Sequence, residues 1–178
     1  MRVLVTGAAG RLGREVVRAF ADDGPVFGLS RTALNVADRK AVHAAIASCT
    51  PSLVVNCAAW TDVDGCEGDP QRAQRINAAA VGYLREAAEE VGAHLLHVST
   101  DFVFDGKADV PYREDDLTAP LNVYGSSKLA GEEMAGPEAR ATMRRSTIPG
   151  ASAGCSQLVR TTVADGPAAT SPASLTAP

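Results

Sequence analysis

The sequence predicts an α/β protein: a doubly wound parallel sheet, C-terminally truncated, with a poorly ordered tail. Three observations carry this. Short Val- and Leu-rich runs alternate with longer helical patterns, which implies βαβ units with helices on both faces of a parallel sheet. A glycine-rich turn joins the first run to the first helical pattern, as at the phosphate-binding end of such sheets. Among the last 42 residues, 25 are Ala, Ser, Thr or Pro and none is aromatic, so core-forming side chains run out before the chain does.

In chain order, residues 2–5 predict a strand, 12–22 a helix, 25–29 a second strand and 37–48 a helix. Residues 53–57 form a third apolar run. Residues 70–91 carry a long helical period rich in Ala, Leu, Glu and Arg, all good helix formers. Residues 94–99 predict the fourth strand and 123–135 a further helix. Right-handed crossovers leave the doubly wound order as the leading topology. Residues 137–178 cannot bury enough apolar surface to offset their ordering entropy. They are expected to be largely disordered, with a short strand at 157–163. The folded domain is therefore expected to span 1–136.

Composition narrows the function. The 178 residues include 17 basic and 21 acidic side chains, a net charge of −4, with 46% hydrophobic and 21% charged residues. A pI near 5.4 argues against a nucleic-acid binder, which would show a basic stripe. Cys49, Cys57, Cys66 and Cys155 form no Cys-x-x-Cys pair. His94 and His97 point to opposite faces of a strand, so no metal site is expected. Reduced thiols fit the cytoplasm. Met1 runs directly into Val3-Leu4-Val5, too short for a signal-peptide core. No run approaches the roughly 18 apolar residues of a membrane span, so no membrane partner is expected.

The chemistry begins at Thr6-Gly7-Ala8-Ala9-Gly10-Arg11-Leu12-Gly13. Glycines at this G-x-x-G-x-x-G spacing allow a tight turn, close backbone approach to a pyrophosphate, and close helix–strand packing. The following helix N-terminus offers free N–H groups to phosphate. Three ordinary turn glycines would look the same in isolation; their place between strand and helix favours a dinucleotide site of the Rossmann-like kind. The second strand ends Gly28-Leu29-Ser30-Arg31, with no carboxylate for a ribose hydroxyl. Arg31 could clamp a 2′-phosphate, or be a solvated surface arginine. NADPH is favoured and NADH stays open.

Tyr124 and Lys128 are four apart on one helical face. An ammonium beside a phenol lowers its pKa, so this pair could exchange a proton at a substrate oxygen while hydride moves to carbon. The fourth strand ends Ser99-Thr100-Asp101, where open α/β sheets bind ligands. Alternation turns one hydroxyl toward the cleft, and Thr100 is the choice for orienting a carbonyl. Both hydroxyls could instead merely cap the strand end.

The glycine loop and the Tyr-Lys pair resemble the extended short-chain dehydrogenase/reductases. More specific are Asn56-Cys57-Ala58-Ala59-Trp60-Thr61-Asp62-Val63-Asp64, Ser99-Thr100-Asp101-Phe102-Val103-Phe104-Asp105-Gly106, Pro111-Tyr112-Arg113-Glu114 and Pro120-Leu121-Asn122-Val123-Tyr124-Gly125-Ser126-Ser127-Lys128-Leu129-Ala130-Gly131-Glu132. Together they resemble the dTDP-4-dehydrorhamnose reductase family over about residues 1–135. The resemblance implies NADPH-dependent reduction of the 4-keto group of a sugar-nucleotide substrate, in dTDP-L-rhamnose synthesis. It implies cofactor contacts from Gly7, Gly10, Leu12, Gly13, Ala58, Ala59, Tyr124 and Lys128; Arg11 in the glycine loop and Ser30 and Arg31 at the second strand's end are further candidate cofactor contacts. It assigns the catalytic set to Thr100, Tyr124 and Lys128, and substrate contacts to Asp101 and Phe102.

Asn35-Val36, which this reading sets after the third strand, stands where the family has Asp and an aliphatic residue. The Asn amide can still accept from an adenine amino group, so weakened binding is expected there. The family then continues with a further strand and a domain closing over the sugar nucleotide. Residues 137–178 resemble none of that beyond an Arg-Ser step at Arg145-Ser146, which suggests a truncated or out-of-frame product, possible loss of activity included. Two other functions share parts of the pattern. A non-catalytic NADP-binding regulatory subunit fits the lost substrate half, but gives no reason for Thr100, Tyr124 and Lys128 together. A sugar-nucleotide epimerase shares the glycine loop and Tyr-Lys pair, but not the Ser-Thr-Asp-Phe-Val-Phe-Asp-Gly strand end. The sequence leaves the oligomeric state open.

Overall fold

Alternation of side chains along four short strands decides the architecture. The computed structural model describes residues 1–136, 140–146 and 157–164. Strands β1 (Val3–Thr6), β2 (Val26–Leu29), β3 (Leu53–Asn56) and β4 (His94–Val98) pair in parallel in the order β2-β1-β3-β4. Leu4, Val54 and Leu95 are buried toward α2 (Arg39–Cys49) and α5 (Ala80–Glu90), against Val42, Ile46, Val81 and Leu84. Val3, Val5 and Val55 face the other way, toward Val16, Val17 and Phe20 along and just after α1 (Arg11–Ala19). Period-two alternation thus gives each sheet face its own apolar layer, and the doubly wound α/β expectation holds.

Helix starts follow capping chemistry. Asp38 caps α2 by accepting from the Ala41 N–H at 3.1 Å. Asp62 caps α3 (Val63–Gly68), accepting from Gly65 N–H at 3.0 Å. Asp69 caps α4 (Pro70–Gln74), where Pro70 takes the first helical position that needs no N–H partner. Asn122 caps α6 (Val123–Met134), accepting from Gly125 N–H at 2.7 Å. The sequence analysis missed α3, a six-residue helix with two glycines and weak intrinsic propensity.

Residues 70–91 are not one helix: a π turn at Arg75–Ala79 separates α4 from α5. Asn77 explains the interruption. Its amide donates to the Trp60 carbonyl at 3.0 Å and to Ser127 Oγ at 2.9 Å, and its oxygen accepts from Trp60 N–H at 2.8 Å. The widened turn carries this side chain between the loop after β3 and α6.

Two segments of the C-terminal region join the sheet. Strands β5 (Arg140–Ser146) and β6 (Gln157–Ala164) pair antiparallel to one another, and β6 pairs antiparallel to β4. The strand expected at 157–163 is there; β5 was not expected, since Arg-Ala-Thr-Met-Arg-Arg-Ser has no apolar run. The expectation of disorder for the remaining residues of 137–178 lies outside the described residues, as does Cys155. Asn35 and Val36 follow β2, not the third strand.

Candidate active site

The carboxyl ends of the parallel strands converge, with Thr6 in register with Leu29 and Asn56, and Asn56 with His97. The glycine loop opens from β1. Gly7 has φ +65°, and a Cβ there would stand 2.8 Å from the Ala58 nitrogen and the Cys57 carbonyl, so only glycine fits. A Cβ at Gly13 would collide with the Gly7 carbonyl, which is how α1 seats against the loop. No side chain caps α1 at Gly10, leaving its first N–H groups for a ligand.

A cleft of about 420 Å³ lies over this loop. Of the expected cofactor residues, Gly7, Gly10, Arg31, Asn35, Val36, Ala58 and Ala59 line it. Arg11 and Leu12 are exposed on α1, Gly13 packs the helix, and Ser30 shares a 2.8 Å hydrogen bond with Thr32. Asn35 is partly engaged, because its side-chain oxygen accepts from Ala37 N–H at 3.1 Å. Sequence reasoning missed Trp60, Arg72, Arg75 and Ile76, which also line the cleft. The Arg72 guanidinium lies 4.2 Å over the Trp60 ring centre. The i, i+3, i+4 spacing of Arg72, Arg75 and Ile76 was the available signal.

Beyond β4 the chain turns at Asp101–Val103. Thr100 Oγ1 accepts from Phe102 N–H at 3.3 Å and donates to Asp101 Oδ1 at 3.2 Å. The Thr100 hydroxyl does cap the turn, but Ser99 Oγ is buried without a hydrogen-bond partner among the described residues. The plainer alternative of two capping hydroxyls therefore holds for Thr100 alone, which also bonds Tyr124. Tyr124 packs against Phe102 edge-on, ring centres 5.5 Å apart, and clusters with Trp60 and Cys66. A Cβ at Gly125 would collide with the Phe102 carbonyl, so this glycine lets α6 bring Tyr124 to the strand end. Asp101 and Phe102 line a second cleft of about 260 Å³ with Asp105, Leu121 and Asn122. Tyr124 therefore touches residues of both clefts.

Lys128 is 1% exposed. Its amine donates to the Val98 carbonyl at 2.6 Å and lies 3.3 Å from His97 Nε2. Burial pushes it down to about 8, against the opposing pull of Glu132 and Cys57. Burial raises the Tyr124 phenol above its usual value, with the Thr100 hydrogen bond acting the other way. The expectation that Lys128 lowers the phenol is thus corrected: the amine turns to Val98 and His97, and the phenol stays protonated at neutral pH. Sequence reasoning also passed over Thr6, Asn56 and His97, a buried polar row in register across three neighbouring strands. Their period-two positions were legible, but His97 had been weighed only as a metal ligand.

Among the described residues, Cys49, Cys57 and Cys66 are free thiols, and no helix is long and apolar enough to cross a membrane.

Comparison with known proteins places this geometry. Residues 1–148 match the family described as RmlD substrate binding domain. A dTDP-4-dehydrorhamnose reductase of Streptomyces griseus is 48% identical over 132 residues, which is 74% of this chain and 43% of that protein. The crystal structure of a dTDP-4-dehydrorhamnose reductase from Clostridium acetobutylicum superposes with TM-score 0.74 at 39% identity, over 76% of this chain and 49% of that one. The Bacillus anthracis dTDP-4-dehydrorhamnose reductase in complex with NADP gives TM-score 0.73 at 33% identity, over 75% and 48%. The chain spans about half the length of the curated relatives it matches. With residues 1–148 matching its model, the chain belongs to the RmlD substrate binding domain family, and its relatives include dTDP-4-dehydrorhamnose reductases.

Proposed function

We propose that this chain supplies the cofactor-binding unit, residues 1–136, of an NADPH-dependent reductase acting on the 4-keto group of a dTDP-4-dehydro-6-deoxy sugar. The observation that carries it is the Thr100–Tyr124 hydroxyl pair at the carboxyl end of β4, between two clefts. The residues present fit a dinucleotide. Gly7 and Gly10 leave space where a Cβ would intrude, and the uncapped start of α1 suits a pyrophosphate. Arg31 at the cleft rim suits a 2′-phosphate, and Asn35 and Val36 would flank the adenine. When bound, the nicotinamide supplies hydride.

The chain's own groups do the rest. Reduction of a ketone consumes a proton, so the acid must be protonated when hydride arrives. The Tyr124 phenol, raised by burial, meets that requirement and gives its proton to the substrate oxygen. Thr100 Oγ1 donates to the same oxygen and fixes its position. Asp101 and Phe102 border the cleft that would receive the sugar nucleotide. Free thiols suit a cytoplasmic enzyme.

The test is NADPH oxidation with dTDP-4-dehydrorhamnose, using this chain joined to a relative's C-terminal half. Tyr124→Phe is expected to lower turnover by about 10²–10⁴-fold with NADPH affinity nearly unchanged. Turnover unaffected by Tyr124→Phe would remove Tyr124 as the acid, and no turnover by the joined chain would return it to a non-catalytic NADP-binding subunit. Arg31→Ala should narrow the preference for NADPH over NADH; an unchanged preference removes Arg31 from the phosphate site.

A further inference from the structure

We propose that Arg72, held flat on the Trp60 ring, is a phosphate-binding residue of the glycine-loop cleft, gripping a phosphate of the dinucleotide from α4. The inference rests on the dinucleotide reading of this cleft and not on turnover.

The charge of the cleft is the first observation. The chain carries 21 acidic and 17 basic side chains, yet Arg31, Arg72 and Arg75 line the cleft and no aspartate or glutamate does. Among the described residues, none of these three forms an ion pair with a carboxylate, whereas Arg18, Arg39 and Arg85 pair with Glu15, Glu86 and Glu89. Unpaired arginines on a chain of net charge −4 concentrate positive potential in one concavity. They do so where the uncapped start of α1 already favours an anion.

Restraint sets Arg72 apart from the other two. It is half-buried, with its guanidinium 4.2 Å over the Trp60 ring centre. Trp60 is itself fixed. Its N–H donates to Asn77 Oδ1 at 2.8 Å, and its carbonyl accepts from Asn77 Nδ2 at 3.0 Å. Its ring edge meets α3 so closely that a Cβ at Gly65 would stand 3.0 Å from Trp60 Cζ2. A guanidinium stacked on a clamped ring keeps its plane and has little freedom left to lose on binding. Stacking occupies the flat face and leaves the in-plane N–H donors, which match two phosphate oxygens side by side. Arg31 and Arg75 are exposed and have no ring beneath them among the described residues. The Trp60 platform therefore prepares one arginine for a phosphate before any ligand arrives. The diphosphate and the 2′-phosphate of NADPH share this chemistry, and NADH, which lacks the latter, separates them.

Calorimetric titration of the full 178-residue chain with NADPH and NADH, at about 50 and about 500 mM salt, tests this. Arg72→Gln keeps a planar group for the Trp60 ring and removes the charge. It is expected to weaken NADPH binding at least about tenfold and to flatten the salt dependence. Arg39→Ala removes the same charge from α2 and is expected to change affinity less than about twofold. An equal loss for NADH assigns Arg72 to the diphosphate; a loss confined to NADPH assigns it to the 2′-phosphate. Unchanged affinity, or a salt dependence parallel to that of wild type, overturns the proposal and leaves Arg72 as a clip between α4 and Trp60. A second measurement needs no variant. Phenylglyoxal labelling of guanidinium groups, mapped by mass spectrometry, is expected to show Arg72 protected by saturating NADPH while Arg39 stays reactive. Equal labelling of Arg72 with and without NADPH overturns the proposal. Wild type that binds neither cofactor would sink the dinucleotide reading and this inference with it; wild type that binds while Arg72 is indifferent sinks the inference alone.

Discussion

Lys128 shows how one buried residue links the site to stability. Its folded-state value of about 8 lies below the ordinary 10.5, so between those values the unfolded chain binds more protons than the folded one. Stability therefore rises with pH across that window, and below about 8 the group weakens the fold by on the order of 3 kcal/mol. Urea unfolding of wild type and Lys128→Met from pH 7 to 10 is expected to show wild type gaining on the variant as pH rises. A constant difference would contradict the buried-amine account. At this scale much was legible. Helical spacing put Tyr124 and Lys128 on one face, and alternation chose Thr100. Direction of hydrogen bonding was not legible: nothing in Tyr-x-x-x-Lys says that the amine turns to Val98 and His97.

Among the elements, α6 and the π turn carry the site's precision. A Cβ at Gly131 would collide with the Asn77 carbonyl, which the π turn presents to α6. Ala is the better helix former by about 1 kcal/mol, so propensity alone predicts that Gly131→Ala stabilises. Overpacking against backbone that cannot yield costs about 1–3 kcal/mol, and the collision should win. Chemical denaturation is expected to show net loss; a neutral or stabilised variant would mean that the two elements separate freely. The long helices could be read from period because each buries one apolar face, and the strands from short Val- and Leu-rich runs, because the central ones are buried on both faces of the sheet. The π turn, α3 and β5 could not. The first depends on one asparagine meeting partners 17 and 50 residues away, and the other two on caps and backbone pairing.

For the whole molecule, the two clefts have different standing. The glycine-loop cleft is built between Gly7 and Ile76 of this chain, whereas the relatives carry about as much chain again as the matched part. Substrate orientation draws on remote contacts, worth roughly 7–11 kcal/mol when complete. The 178-residue chain is accordingly expected to reduce dTDP-4-dehydrorhamnose more than tenfold more slowly than one joined to a relative's C-terminal half. Equal turnover would show that this chain holds the sugar nucleotide unaided. Cofactor binding is expected to need no such extension. The most direct test of the account is therefore an NADPH titration of the chain as it stands, beside Gly10→Val, whose Cβ would press within 3.1 Å of the Gly7 carbonyl. Saturable binding by the wild type, weakened at least tenfold in the variant, is the result the account predicts; no saturable binding, or equal affinity in both, would contradict it.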